Sequence, residues 1–316
     1  MESDALASTT IAELERALEG VSYLPDRAVT TAVTLALRLG RPLLVEGPPG
    51  VGKTDLARAL AEALGRPLVR LQCYEGLDES KALYEWDYAR QMLYTQLLRD
   101  AVAQRTAGAA SLSEAVTRLS TEADAFFSER FLVERPVLKA LRSPRAAILL
   151  VDEVDRADPE LEALLLEVLS EGQVTVPELG TLRGAHPPLV ILTTNATRDM
   201  TDALRRRCLH AYLDYPTPSR ELAILELRVP GIARALAEQV AAFAARLRAM
   251  DLRKAPSISE AIDWARSMVV LGASALDPEL ARDTLGALVK YEEDRAKASA
   301  ALGSAEDHRE AARRGA

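Results

Sequence analysis

At 316 residues, 48% of them apolar, the chain is long enough to bury a large core and to form two domains, and too apolar for a low-hydropathy disordered polymer. With 47 acidic residues against 39 basic ones it carries a net charge of −8, which argues against general nucleic-acid coating or attachment to an anionic membrane while leaving room for a local basic pore. Aromatic residues are only 4%, so the interior must be built mainly from Ala, Leu and Val.

The chain starts Met1-Glu2-Ser3-Asp4, without the basic start and apolar run of a signal peptide, and no apolar stretch approaches transmembrane length. Helices are predicted over 9–20, from Ile11, Leu14 and Leu18, and over 25–39, from Val29, Val33 and Leu37. Pro42 ends that region. Pro42-Leu43-Leu44-Val45-Glu46 reads as a short buried strand, and Asp55 to Leu64 as a helix. Between them lies Gly47-Pro48-Pro49-Gly50-Val51-Gly52-Lys53-Thr54, which fits G-x-x-x-x-G-K-[ST] at every fixed position. A glycine loop joining a strand to a helix lets backbone N–H groups and the positive helix end face one anion together. Lys53 is then expected to reach the outer phosphates of a nucleoside triphosphate, and the Thr54 hydroxyl to hold Mg²⁺, with Asp55 completing the binding segment. A chance lysine beside a glycine turn would not carry both flanks.

Residues 66–71 suggest a second strand, and residues 90–120 two helices around Gly108. Ala146 to Val151 is a strong central strand that ends in Asp152-Glu153. Strand ends face the ligand crevice in open α/β sheets. There Asp152 is expected to order Mg²⁺, and Glu153 to act as general base on the water that attacks the γ-phosphate of ATP. Pro159 to Glu171 reads as an amphipathic helix starting near Asp158, and residues 173–183 as a hairpin turning near Gly180. Leu189 to Thr194 is another buried strand, and Asn195 at its tip is placed to orient water. Arg205-Arg206-Arg207 reads, by composition alone, as a solvated face; the sharper alternative is an arginine that reaches a neighbouring subunit's nucleotide.

Alternating helices and short apolar strands predict an α/β fold, a sandwich around a parallel sheet, over residues 1–215. From residue 216 to 316 only helical periodicity remains, which predicts a smaller all-helical lid ending in a weakly packed tail. No internal repeats are evident. Cys73 and Cys208 are far apart and suggest no disulfide, and His186, His210 and His308 show no metal-ligand spacing. A cytoplasmic enzyme is the simple expectation.

Taken with the loop, the segments Val151 to Ala157, Glu171 to Val176 and Thr194-Asn195 resemble the MoxR group of AAA+ ATPases. Gly65 to Asp78, Tyr84 to Gln91, Ala203 to Leu209, Asp214 to Pro216 and Asp263 to Arg266 are similar to its CoxD-like members, so the resemblance runs from about residue 22 to about 295. It implies an AAA+ P-loop αβα sandwich with a helical lid, ATP hydrolysis with Mg²⁺, and a ring, typically hexameric. It places Asn195 at the sensor-1 position. It favours Arg207 as the trans-acting arginine finger, with Arg206 still a candidate because Cys208 replaces the usual aromatic neighbour. The 173–183 hairpin would face the substrate side of the ring. The implied partners are a von Willebrand A domain protein and a molybdenum hydroxylase client, such as the molybdenum–copper site of a carbon monoxide dehydrogenase; from the acidic balance, no nucleic-acid partner is expected.

Two departures stand out. Pro256 to Glu260, where the family's lid arginine would fall, contains none, and Arg266 lies more than a helical turn downstream; Ala196 stands where a larger polar residue is expected. Tyr74, Trp86 and Tyr88 are expected to be packing anchors, within the chain or at a subunit or partner interface, and Cys73 a buried structural thiol. The competing readings are a nucleic-acid-directed motor or loader on the same fold, and a nucleotide switch or scaffold with little turnover.

Overall fold

A computed structural model describes residues 9–97, 111, 128–177 and 179–314, and side chains through 303 apart from 95 and 97. Most of the expected helix pair over 90–120 lies outside the described residues. In chain order the elements are α1 (Ile11–Gly20), α2 (Arg27–Leu39), β1 (Leu43–Glu46), α3 (Lys53–Ala63), β2 (Leu68–Gln72), α4 (Glu79–Ala82), β3 (Tyr84–Trp86), α5 (Tyr88–Leu97), β4 (Leu132–Glu134), α6 (Pro136–Leu141), β5 (Ile148–Asp152), α7 (Pro159–Glu171), β6 (Gln173–Val176), β7 (Gly180–Arg183), β8 (Leu189–Thr194), α8 (Asp202–Arg207) and β9 (Leu209–Tyr212). Helices α9 (Pro218–Arg228), α10 (Arg234–Arg248), α11 (Ile258–Val270), α12 (Pro278–Leu288) and α13 (Glu292–Arg314) follow.

Five strands form one sheet in the order β2-β5-β8-β1-β9. Strand β5 pairs in parallel with β2 (Gln72 opposite Asp152) and with β8 (Val151 opposite Leu192). The N–H groups of Leu209 and Leu213 donate to the carbonyls of Pro42 and Glu46, so β9 also runs with β1. The central strands β5 and β8 are buried along their whole length, which is why they read as unbroken apolar runs. Helices fill the connections between parallel strands, as such a sheet requires. The sequence analysis missed β9, whose Leu-His-Ala-Tyr has no run or clear alternation, and the β3–β4 pair, in which Tyr84 lies opposite Glu134.

Inter-residue contacts divide the chain into two compact units, one of Met1–Thr9, Ala32–Leu44 and Leu60–His210, the other of Thr10–Thr31, Val45–Ala59 and Ala211–Ala316. In the first, Leu71, Leu83, Leu138, Leu149, Val151, Leu165 and Leu192 lie in one buried cluster. The β6–β7 hairpin forms with Gln173 opposite Arg183, and its Val176 packs with Trp86 and Phe131. Trp86 is thus a packing anchor within this unit, whereas Tyr74 and Tyr88 are exposed on the single chain.

The second unit holds α1, the end of β1, the glycine loop, the start of α3 and the helices from α9 onward. Helix α1 opens with a capping box, in which the Glu13 N–H donates to the Thr10 hydroxyl (3.2 Å) and Thr10 N–H to the Glu13 carboxylate (2.7 Å). The helical bundle closes over Trp264, fully buried beside Phe243 at 5.5 Å between ring centres, with its indole N–H donating to Thr284 at 2.9 Å. Among the described residues no strand follows β9, as the periodicity predicts, and no helix is long and apolar enough to cross a membrane.

Candidate functional site

The glycine loop is built by local geometry. Gly50 and Gly52 have φ of +76° and +102°, a region that side chains disfavour. Space is as restrictive as conformation: a Cβ on Gly47 would lie 2.0 Å from the Leu213 carbonyl oxygen, and one on Gly50 2.4 Å from Ser257. Pro48, Pro49 and Val51 complete the turn. Lys53 is the first residue of α3, and Thr54 and Asp55 follow in its first turn. The Lys53 side chain is buried and curls over the loop, its ammonium donating to the carbonyls of Gly47 (2.6 Å) and Pro48 (2.8 Å). A glycine-lined cradle at a helix N-terminus with a buried ammonium and an adjacent hydroxyl fits a Mg²⁺-bound polyphosphate.

The same unit brings residues of the carboxy-terminal helices to this loop. The N–H and hydroxyl of Ser259 both approach the Gly50 carbonyl, at 3.4 and 3.3 Å. A capping box between Ser257 and Glu260 starts α11, and Lys254 pairs with Glu260 at 2.9 Å. Arg228 reaches Asp55 at 3.3 Å, while Arg266 donates to the Arg228 carbonyl at 3.2 Å. No arginine stands among Pro256–Glu260, so the start of α11 meets the loop through serine, while Arg228 at the end of α9 meets the base of α3.

In the first unit the chemistry gathers at the carboxyl ends of β2, β5 and β8. The Asp152 carboxylate accepts from Arg70 (3.1 and 2.6 Å) on one side and from the Thr193 hydroxyl on the other. Thr193 in turn accepts the Glu153 N–H at 3.0 Å. Glu153 sits in the left-handed region, φ +56°, which turns its side chain out of the strand's line; Arg156 donates to it at 3.2 Å. A left-handed glutamate costs about 1–3 kcal/mol and persists only where neighbours impose it. Asn195 follows the last residue of β8 and is half-buried. The segment after it is pinned by two buried carboxylates: Asp155 takes the Thr197 N–H and hydroxyl, and Glu162 takes Arg198 (2.8 Å) and the Thr201 N–H (2.9 Å). Burial pushes Asp155 upward, but the bonds from Thr197 outweigh it and hold the carboxyl below its usual range. Ala196 has φ +55°, and its small side chain is exposed.

Sequence reasoning missed Arg70, Gln72, Thr193 and the Asp155–Thr197 clasp. The alternation in 66–71 placed Arg70 on a strand, but nothing local to it points to Asp152. Cys73 is fully buried, and burial, with nearby Asp152, pushes its thiol up to about 12, the behaviour of a structural cysteine. Asp158 stands at the N-cap of α7, but its carboxylate makes no capping bond and accepts the Gly76 N–H at 3.1 Å.

Arg206 and Arg207 close α8 and differ in what they do. Arg207 folds back, its Nε donating to the Ser170 hydroxyl at 2.6 Å and a terminal nitrogen to the Ala203 carbonyl at 3.2 Å. The Arg206 side chain is 83% exposed and, among the described residues, meets only Asp202, at 3.9 Å. Beneath them Arg41 donates to the Arg206 (2.9 Å) and Arg207 (3.2 Å) carbonyls, anchoring the helix end.

A parallel α/β sheet with a glycine phosphate loop on its β1–α3 connection and paired acids at the end of β5 defines the chain as a P-loop nucleotide-binding protein. Residues 42–208 match the AAA domain family, dynein-related subfamily, and the chain belongs to that family. Curated relatives include an uncharacterized protein of Staphylococcus saprophyticus, 28% identical over 60% of this chain and 62% of its own length. Another is chaperone protein ClpB 2 of Parasynechococcus marenigrum, 29% identical over 55% of this chain and 17% of its own. The chain therefore spans under two thirds of the length of these relatives. Among solved structures, RuvB of Thermotoga maritima aligns with a TM-score of 0.47 at 17% identity, over 87% of this chain and 69% of that one.

Proposed function

We propose that this protein is a MoxR-type, CoxD-like AAA+ ATPase that uses ATP and Mg²⁺ in a ring, a hexamer by resemblance, to remodel or mature a partner metalloenzyme. The observation that carries the ATPase reading is the phosphate loop, with Lys53 buried at the head of α3 and Thr54 beside it. In this reading residues 1–215 are the nucleotide-binding domain and 216–316 the lid, and the protein works in the cytoplasm. The loop N–H groups from Gly47 to Gly52 and the Lys53 ammonium bind the phosphates, and Thr54 and Asp152 hold the metal, which when bound neutralises phosphate charge. Glu153 takes a proton from the attacking water, and Asn195 orients that water. Arg206 or Arg207 neutralises transition-state charge in a neighbouring subunit's site. The exposure of Arg206 and the Ser170 tether on Arg207 favour Arg206 for that reach. Similarity to ClpB 2, named a chaperone, agrees with work on a protein client. The CoxD-like segments around Cys73 and Trp86 support a von Willebrand A protein as partner and a molybdenum hydroxylase as client.

Lys53→Ala is expected to abolish nucleotide binding, and Glu153→Gln to keep ATP binding while turnover falls by about 10²–10⁴-fold. Unchanged turnover in Glu153→Gln removes that residue from the base role. Mixing Arg206→Ala subunits with Lys53→Ala subunits restores part of the activity if sites are shared; no recovery at any ratio counts against it. A pull-down from the native organism with the Glu153→Gln form held in ATP tests the client, and an eluate without a molybdenum hydroxylase or von Willebrand A protein defeats that assignment.

A further inference from the structure

The amino ends of the parallel strands, opposite the edge that carries Asp152 and Asn195, open into a cavity of about 810 Å³ within the first unit. That volume lies in the range of small-molecule sites, roughly 300–1,000 Å³. Its rim repeats one device. Helix α2 ends in Gly40-Arg41-Pro42 before β1, and α3 ends in Gly65-Arg66-Pro67 before β2. Arg145 precedes β5, and His186 precedes β8. Four strand starts therefore each bring one basic side chain to the same cavity, over a floor that includes Leu37, Leu64 and Val168.

Two simpler roles could occupy these side chains. One is capping, since α2, α3 and α7 all end at the cavity and helix carboxyl ends attract cations. Here the backbone does the capping. Gly40, Gly65 and Gly172 have φ of +60°, +62° and +61°, and the N–H groups of Arg41, Arg66 and Gly172 close on the carbonyls of Ala36 (3.1 Å), Ala61 (2.8 Å) and Val168 (3.0 Å). The other role is pairing with acids. The one carboxylate in the wall is Glu171, which accepts from the Gln173 amide at 2.6 Å. Arg41 is spent on the α8 carbonyls and Arg66 has a partner of its own. Arg145 and His186 make no hydrogen bond or ion pair with any described residue.

We propose that this cavity is a binding site for a small polyanion, a phosphate ester or a polycarboxylate, held by Arg145 and His186 with Arg66 and Arg41 contributing field. The cavity offers an anion several basic side chains in its wall above an apolar floor, the usual make-up of a ligand pocket.

The test is calorimetric titration of the full chain carrying Lys53→Ala, so that the phosphate loop contributes nothing and failure of the nucleotide reading stays distinguishable. The probes are inorganic tripolyphosphate and citrate at low salt. One bound anion per chain is expected, weakened by roughly tenfold or more in Arg145→Glu, the loss expected for one charge-assisted contact, and in His186→Glu. Binding of tripolyphosphate alone marks a phosphate ester, of citrate alone a polycarboxylate, and both support the site. No binding of either probe overturns the proposal, as does binding that both variants leave within about twofold. Both altered residues are exposed and without partners among the described residues, so the variants are expected to unfold like the parent.

Discussion

Thr193 is the residue on which the two acids at the end of β5 depend, and replacing it with valine isolates its hydroxyl. The side chain is almost wholly buried; its O–H donates to the Asp152 carboxylate and its oxygen accepts the Glu153 N–H at 3.0 Å. Valine keeps the shape and removes both bonds. A hydrogen bond to a charged group is worth about 1.5–3 kcal/mol, and a buried donor left without an acceptor costs about 1–3 kcal/mol. With Arg70 still holding the other side of Asp152, the net loss expected is about 2–5 kcal/mol in urea unfolding. Turnover should fall further than stability alone explains, because the Glu153 N–H bond is one of the contacts that impose its left-handed backbone. ATPase rates of folded Thr193→Val should therefore drop by roughly tenfold or more, in line with misplacing a general base. Thr193→Ser keeps the hydroxyl and is the control. If Thr193→Val matches Thr193→Ser in both unfolding and turnover, the bonds do not hold the acids and the reasoning is wrong.

Other outcomes follow from the structure. Glu221 is fully buried and pairs with Arg248 through two bonds of 2.5 and 2.8 Å, so Glu221→Ala should cost about 3–5 kcal/mol by stranding a buried guanidinium, read from urea unfolding. Burial raises the Glu260 carboxyl, but the Ser257 N–H and Lys254 outweigh it and hold it below its usual range. A depressed folded value means a stabilising contribution present above about pH 4.3 and lost as pH falls through the lower folded value; Glu260→Gln should flatten the pH dependence of stability in that acid window. Burial lifts the thiols of Cys73 and Cys208 to about 12 and about 11, so at pH 8 neither should react with iodoacetamide until the protein is unfolded, and labelling of the native chain at the rate of a free thiol would contradict their burial.

The phosphate loop was legible because its chemistry is contiguous: glycines that need φ above zero, a lysine and a threonine follow one another within a few residues. Strands β5 and β8 were legible because burial on both faces leaves an unbroken apolar run, and Asp152, Glu153 and Asn195 sit where those runs stop. The carboxy-terminal helices announced themselves by period, with the capping residues Thr217, Ser257 and Asp277 at their starts. Helix α7 was found at its true start, with Asp158 at the N-cap and Pro159 next, although the Asp158 carboxylate bonds Gly76 rather than the helix.

What stayed hidden depends on partners far apart in the chain. Arg70 and Thr193 meet Asp152 from two other strands, 82 and 41 residues away. Ser259 reaches Gly50 across 209 residues. The difference between Arg206 and Arg207, adjacent and chemically identical, exists only because Ser170 stands beside one of them. The sequence by itself determined the glycine loop and the Lys53-Thr54 that follow it, because backbone conformation and residue type act locally. Only tertiary structure decided which neighbours orient Asp152 and Glu153, which arginine is left to reach outward, and that four strand starts share one basic cavity. Those outcomes are set by register and packing between distant segments, and no short-range pattern encodes them.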